Sequence, residues 1–294
     1  MTGPAGHLAL PIVRALAPAN EVWGLARFSR PEDISLLEGL GVRCLRRDIA
    51  ADALDDLPRD LDYVFHAGAM VAMGSEEDMA YTFAVNVQGT GRLLERCRGV
   101  KGFVFCSTGG VYAKQSRPVR EDDDYGAPIP AYSLSKIAAE QLVRFLAPRL
   151  EIPTIILRIG AVYGPDASGP LVRIRRMLRG KEVWVNPEEP RAGSVMWVDD
   201  AVRLALVALE KGQIPPITVN FAGDDPVSIE DYCRFAGHLL GVEPTFRYTD
   251  ETYPANQMDT TLMHEVLGRC ETGWQEGFRR LLAACFPDGR PDRV

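Results

Sequence analysis

Short apolar runs alternate with longer stretches of helical periodicity through the first two thirds of this chain. Glu21 to Ala26, Val42 to Leu45, Asp62 to His66, Phe103 to Cys106 and Pro153 to Ile159 read as strands, the last of them continuously apolar in character. Helices are predicted between them, including about Asp78 to Arg98 and Tyr132 to Leu146. Apolar strands separated by helices are the pattern of an α/β protein with a doubly wound parallel sheet. Further on, Leu171, Ile174, Met177 and Leu178 mark the inward face of a helix, and Arg173, Arg175, Arg176, Arg179 and Lys181 its solvated face. The expected division is a sheet domain over residues 1–158 and a smaller lobe over 159–294, with a segment of about 195–222 returning to the first domain.

Two stretches carry candidate chemistry. Tyr132 and Lys136 are four apart, so a helix stacks them on one face, where the ammonium favours the phenolate form. That makes Tyr132 a candidate general acid/base. Such a pair arises by chance on many helices. What singles this one out is the upstream strand Phe103-Val104-Phe105-Cys106, which ends in the hydroxyls of Ser107 and Thr108 and breaks at Gly109-Gly110. Open parallel sheets hold their ligands at the carboxyl ends of strands.

Ser107-Thr108-Gly109-Gly110-Val111-Tyr112 followed by Tyr132-x-x-x-Lys136 resembles the active-site core of the extended short-chain dehydrogenase/reductases, the NAD-dependent epimerase/dehydratase family. The resemblance runs from residue 2 to about 282 and implies a Rossmann-like fold with a substrate lobe. It also implies an NAD(P)-dependent enzyme that moves a hydride between a nicotinamide and an alcohol or carbonyl carbon. Tyr132 would exchange the hydroxyl proton, and Lys136 would lower its pKa and bind the nicotinamide ribose. Thr108, with Ser107 as its stand-in, would hydrogen-bond the substrate oxygen. Asn86, in Asn86-Val87-Gln88-Gly89-Thr90, would steady the helix bearing these groups or a water chain through the lysine. Thr2 to Ala9 resembles the family's glycine loop with Ala9 at the third glycine, which assigns Gly3 and Gly6 to the pyrophosphate. Asp48-Ile49 resembles the pair beside the adenine, and Ala67-Gly68-Ala69 the turn beneath the ribose and phosphates. His66 is assigned to packing.

Three departures shape the expectation. Pro11 falls in the first turns of the expected first helix, where it removes a donor. No strand precedes the glycine loop, so the first strand reads as missing or truncated, at a cost on the order of 10 kcal/mol for about five buried apolar residues. A native start upstream of Met1 is the expectation. The strand after the loop ends in Ala26-Arg27 where relatives that prefer NAD carry an acid; Arg27 would pair with a 2'-phosphate, so NADP(H) is preferred with NAD(H) possible.

For the substrate, Ala161 stands where relatives acting on nucleotide sugars carry an asparagine. Gly193 stands at their arginine, with Arg191 two residues away. The first expectation is therefore an oxidoreductase acting on something other than a nucleotide sugar. A nucleotide-sugar epimerase is the alternative, and a non-catalytic dinucleotide sensor stands as a reading of another class. Composition adds exclusions. The chain has 294 residues with a net charge of −7, which argues against nucleic-acid or anionic-membrane partners. Six cysteines without Cys-x-x-Cys spacing and four histidines without ligand spacing predict reduced thiols, no metal and a cytoplasmic setting. A homodimer through helices about Asp78 to Arg98 and Tyr132 to Leu146 is expected from the family, and the acidic run Glu121 to Asp124 reads as a solvated face.

Overall fold

The computed structural model describes residues 1–71, 76–126, 130–166, 169–188, 191–252 and 255–287. In chain order it contains α1 (Ala9–Leu16), β1 (Trp23–Ala26), α2 (Pro31–Gly39), β2 (Arg43–Arg46), β3 (Tyr63–His66), α3 (Glu76–Phe83), a π-helical turn (Ala84–Gly89) and α4 (Thr90–Arg96). There follow β4 (Gly102–Thr108), α5 (Ala131–Arg149), β5 (Thr154–Ile159), β6 (Ala161–Tyr163), α6 (Gly169–Leu178), β7 (Val183–Val185) and β8 (Ala192–Trp197). The chain continues through α7 (Val198–Ala208), β9 (Ile217–Phe221), β10 (Pro226–Ser228), α8 (Ile229–Leu240), β11 (Phe246–Tyr248), α9 (Thr261–Val266) and α10 (Trp274–Cys285).

One compact unit comprises Met1–Val111, Asp124–Arg158 and Val202–Val219. Its strands pair β1 with β2 in parallel, and β3 with β4 in parallel within the order β3-β4-β5-β9. Thr2 joins these two sheets by parallel bridges to Leu25 and His66, giving the order β2-β1-Thr2-β3-β4-β5-β9. Its amide donates to Phe65 O at 3.1 Å, and that of Gly3 to Leu25 O at 3.0 Å. The position expected for a first strand is thus held by one bridging residue. Burial explains the strand signals: every residue of β4 up to Ser107 is buried, and α5 lays Ala139, Val143 and Ala147 on the same core as Phe103, Phe105 and Ile156. At about 25 cal/mol per Å² of apolar surface, each such side chain contributes roughly 1.5 to 3 kcal/mol.

Pro11 proves harmless for a physical reason. It is the third residue of α1, inside the first turn, where helical N–H groups have no intrahelical acceptor to lose. The helix expected as one piece over about Asp78 to Arg98 is interrupted by the π-helical turn that carries Asn86. Beneath α5 lies a fully buried ion pair. Arg158 Nη2 donates to Glu140 Oε2 at 2.8 Å, and Ser107 Oγ donates to Glu140 Oε1 at 2.5 Å, so α5, β4 and β5 are pinned together.

The other unit comprises Tyr112–Asp123, Ile159–Ala201 and Asn220–Val294. It holds β8 between β10, antiparallel, and β6, parallel, together with a parallel β7 and β11 pair. An aromatic stack centres its core: Phe278 lies 4.5 Å from Tyr163 and 4.9 Å from Tyr232, ring centre to ring centre. Helix α6 buries Leu171, Ile174 and Met177 as its period predicts. The acidic run is not simply a solvated face. Glu121 Oε1 accepts from the Asn220 amide at 2.8 Å, and Asp123 accepts from Arg117 and from the Arg120 amide. Isolated carboxylates look alike in sequence, and only the partners distinguish a structural one.

Candidate active site

Gly3, Gly6, Arg27, Asp48, Ile49, Ala67 and Gly68 line one cavity of about 370 Å³ in the first unit. Gly3 has φ +59°, and a Cβ there would come within 2.9 Å of Gly68 Cα, so only glycine lets the loop lie against the turn after β3. The first turn of α1 holds no acidic residue and no side chain caps it, so no negative charge of its own opposes an anion there, although the amides of Gly6 and Leu10 already donate to Gly3 O and Gly6 O. At the far end of the cavity Asp48 accepts from the Tyr81 hydroxyl, and its Oδ1 accepts from the Ala50 amide at 2.9 Å. Arg27 lies over the Tyr81 ring at 5.2 Å and donates to its hydroxyl at 3.0 Å. Among the described residues Arg27 has no carboxylate partner, whereas Arg30 is paired with Asp33 and Arg47 with Asp56.

The proposed reaction groups gather where β4 meets the start of α5. The Ser107 hydroxyl is committed to buried Glu140, whereas the Thr108 hydroxyl accepts from the Gly110 amide at 3.1 Å and keeps its own proton to donate. A Cβ built on Gly110 would stand 3.4 Å from Thr108 Oγ1 and 3.0 Å from Ser133 Oγ, so the threonine hydroxyl faces the first turn of α5. Lys136 is 2% exposed, with Nζ 4.2 Å from the centre of the Phe105 ring, and burial brings it down to about 8. Tyr132 departs from expectation. Burial pushes its phenol up to about 12, with a smaller contribution from Cys106, and Lys136 is not among the groups that set it. Desolvation of the phenolate outweighs an ammonium that is itself held over a neighbouring ring. Asn86, 1% exposed, clasps the backbone of Met70 with two bonds of 2.8 Å and donates to Ser135 Oγ at 2.9 Å; that hydroxyl in turn donates to the Tyr132 carbonyl at 2.7 Å.

This arrangement of a glycine loop, a strand-end hydroxyl and a Tyr-x-x-x-Lys helix in one unit is accompanied by a family-model match over residues 1–222, that of the NAD dependent epimerase/dehydratase family. This chain belongs to that family. YtcB of Bacillus subtilis, named an uncharacterized UDP-glucose epimerase, is 25% identical over 268 residues, covering 85% of this chain and 84% of its own. UDP-glucuronic acid 4-epimerase of Bacillus cereus, solved with a fluorinated UDP-glucuronic acid and NAD, superposes with a TM-score of 0.84 at 25% identity, over 96% of this chain and 97% of that one. MoeE5 in complex with UDP-glucuronic acid and NAD gives 0.83 at 26% identity, over 96% and 97%.

These relatives overturn the expectation of a substrate other than a nucleotide sugar. That expectation weighed two absent side chains, at Ala161 and Gly193. A nucleotide sugar is held by many groups, so losing two of them does not change the class bound. Other expectations concern absences. Among the described residues no helix is long and apolar enough to cross a membrane, and no group of three or more His, Cys, Asp or Glu is disposed to hold a metal. None of the six cysteines forms a disulfide.

Three contacts escaped the sequence reading. Tyr81 reaches Asp48, which lines the cavity, from 33 residues away, and Glu140 reaches Ser107 across 33 residues. His66, assigned to packing, makes polar contacts with two threonines. Glu140 at least has a local signal: four residues beyond Lys136, it shares that residue's helical face.

Proposed function

We propose that this chain is an NAD(P)-dependent nucleotide-sugar epimerase acting on a UDP-linked sugar. What supports the reading most is that Thr108 ends β4 and Tyr132 and Lys136 lie in the first turns of α5, in the unit whose cavity seven of the eight dinucleotide candidates line, all but Lys136. Similarity to UDP-sugar epimerases over nearly the whole chain supports the substrate class. The cavity suits a dinucleotide, since Gly3, Gly6 and Gly68 line it without side chains and the start of α1 carries no acidic residue. A nicotinamide bound there supplies the acceptor for a hydride that returns to the opposite face of the same carbon. Tyr132 exchanges the proton of the sugar hydroxyl through its phenol oxygen. Thr108 hydrogen-bonds that same hydroxyl oxygen and fixes its distance from the phenol. Lys136 binds the nicotinamide ribose. Asn86 and Ser135 hold the Tyr132 turn.

NADP(H) is the preferred form in this reading. Arg27 lacks a carboxylate partner at the end of β1, where a 2'-phosphate would otherwise meet repulsion. Cysteines outside disulfides accord with a cytoplasmic protein, and exposed Leu134 and Phe145 on α5 with a homodimer through that helix. The test is incubation with UDP-glucose and UDP-glucuronic acid in the presence of NADP+ or NAD+, with products resolved by proton NMR. The 4-epimer is expected from at least one of them. No change in either sugar, by a protein that calorimetry shows to bind dinucleotide, would refute the reading.

A further inference from the structure

At the end of β3 stands a buried histidine that the reaction chemistry does not use. His66 is 1% exposed, with Thr2 Oγ1 2.7 Å from Nδ1 and Thr90 Oγ1 2.8 Å from Nε2. Donor and acceptor accounting fixes the direction of each bond. The Thr90 hydroxyl donates its proton to the Asn86 carbonyl at 2.7 Å, so towards His66 it can only accept, and Nε2 must carry the ring proton. Nδ1 is then an acceptor. The Thr2 hydroxyl donates to it and, on the same oxygen, accepts from the Gly68 amide at 2.8 Å. Asn86 carries the run onward through Ser135 Oγ to the Tyr132 carbonyl, and its side chain also clasps the backbone of Met70. One directed series of hydrogen bonds therefore links the glycine loop, the turn after β3, the π-helical turn and the first turn of α5.

We propose that His66 is a positioning residue which, through Thr2 and Thr90, holds the dinucleotide loop and the Tyr132 turn in one geometry and so sets the affinity for the nicotinamide cofactor. This rests on the cofactor reading given above. The ring stays neutral in this role, because burial and the nearby Lys136 charge hold it down at about 3. A neutral ring offers one acceptor and one donor on opposite sides, which is what two hydroxyls with fixed directions require. An aliphatic residue of similar size would fill the volume and leave both hydroxyls unpartnered.

The experiment measures NADP+ and NAD+ affinity by calorimetry for the full chain and for Thr90→Val, His66→Leu, His66→Gln and the Thr90→Val/His66→Leu double variant. Thr90→Val and His66→Leu are each expected to weaken binding about tenfold, the double variant no more than the weaker single one. His66→Gln, whose amide supplies an acceptor oxygen and an N–H donor for the two hydroxyls, should recover most of the loss. Turnover at saturating cofactor should fall as well, because the Tyr132 turn is held by the same bonds, but by less than the affinity does. Unchanged affinity in folded Thr90→Val and His66→Leu, or losses that add in the double variant, would overturn the proposal. Amide exchange in the ligand-free protein separates it from the cofactor reading. Thr90→Val is expected to speed exchange at Gly68 and Met70. If the parent chain binds no dinucleotide, the cofactor reading falls; if exchange at those two amides is unchanged, the network falls by itself.

Discussion

Lowering the pH from 7.5 to 5.0 is expected to cost the fold about 2 kcal/mol through His66 alone. In an unfolded chain an imidazole takes up a proton near pH 6.5; in the native state burial, followed by Lys136, keeps it neutral until about 3. The native value is the depressed one. The stability it confers is therefore complete above pH 6.5 and drains away as the pH falls towards 3. At pH 5.0 the unfolded state gains RT ln of about 1 + 10^1.5, or about 2 kcal/mol, and the loss reaches about 5 kcal/mol below pH 3. The figure at pH 5.0 is nearly the same for a native value of 3 or 4, since the native ring is neutral there in either case. Urea unfolding followed by far-UV circular dichroism, at both pH values, for the parent and His66→Gln, isolates the term. His7, His238 and His264 are common to both proteins and cancel. The variant should lose about 2 kcal/mol less than the parent on acidification. Equal acid losses would refute both the depressed value and the neutral-ring hydrogen-bond scheme.

Further expectations follow from the site and its support. Glu140→Gln leaves the Arg158 guanidinium buried without its carboxylate and should cost about 3 to 5 kcal/mol in denaturant titration, part of it regained when Arg158→Met is added. Gly3→Ala places a Cβ 2.9 Å from Gly68 Cα at a φ that favours glycine; calorimetry should register at least a tenfold weaker dinucleotide complex, about 1.4 kcal/mol. Tyr132→Phe should lower kcat by about 10² to 10⁴ in the epimerase assay while leaving dinucleotide affinity within about twofold, and retained turnover would remove Tyr132 from the chemistry.

The strands were legible because β3, β4 and β5 are built of apolar runs that must be buried on at least one face; α5, expected over Tyr132 to Leu146, runs from Ala131 to Arg149, with Ala139, Val143 and Ala147 on the core. Tyr132 and Lys136 were legible through a spacing of four. What stayed hidden depends on partners far apart in sequence. Thr2 pairs with His66 over 64 residues and Glu121 with Asn220 over 99, and no local pattern announces either. Pro11 misled because a proline's cost depends on its place within the helix, which differs between the first turn and the second. The Tyr132 pKa misled because spacing says which charge is near but not how much water is lost. Ala161 and Gly193 misled about substrate because a missing side chain removes one contact, whereas substrate class is decided by the whole pocket.

The π-helical turn at Ala84–Gly89 has a consequence for how this stretch tolerates change in length. A π-turn accommodates one residue more than an α-turn, and each helical residue advances the side chains by about 100°. Excising a single residue here would yield a more regular helix that is also the wrong one. Asn86 and Thr90 face the buried hydrogen bonds on one side of the turn, while Leu93 and Leu94 beyond it fill the core. Closing the bulge would swing one set out of place to keep the other. Insertions and deletions should therefore be excluded from this segment far more strictly than substitutions at its exposed positions.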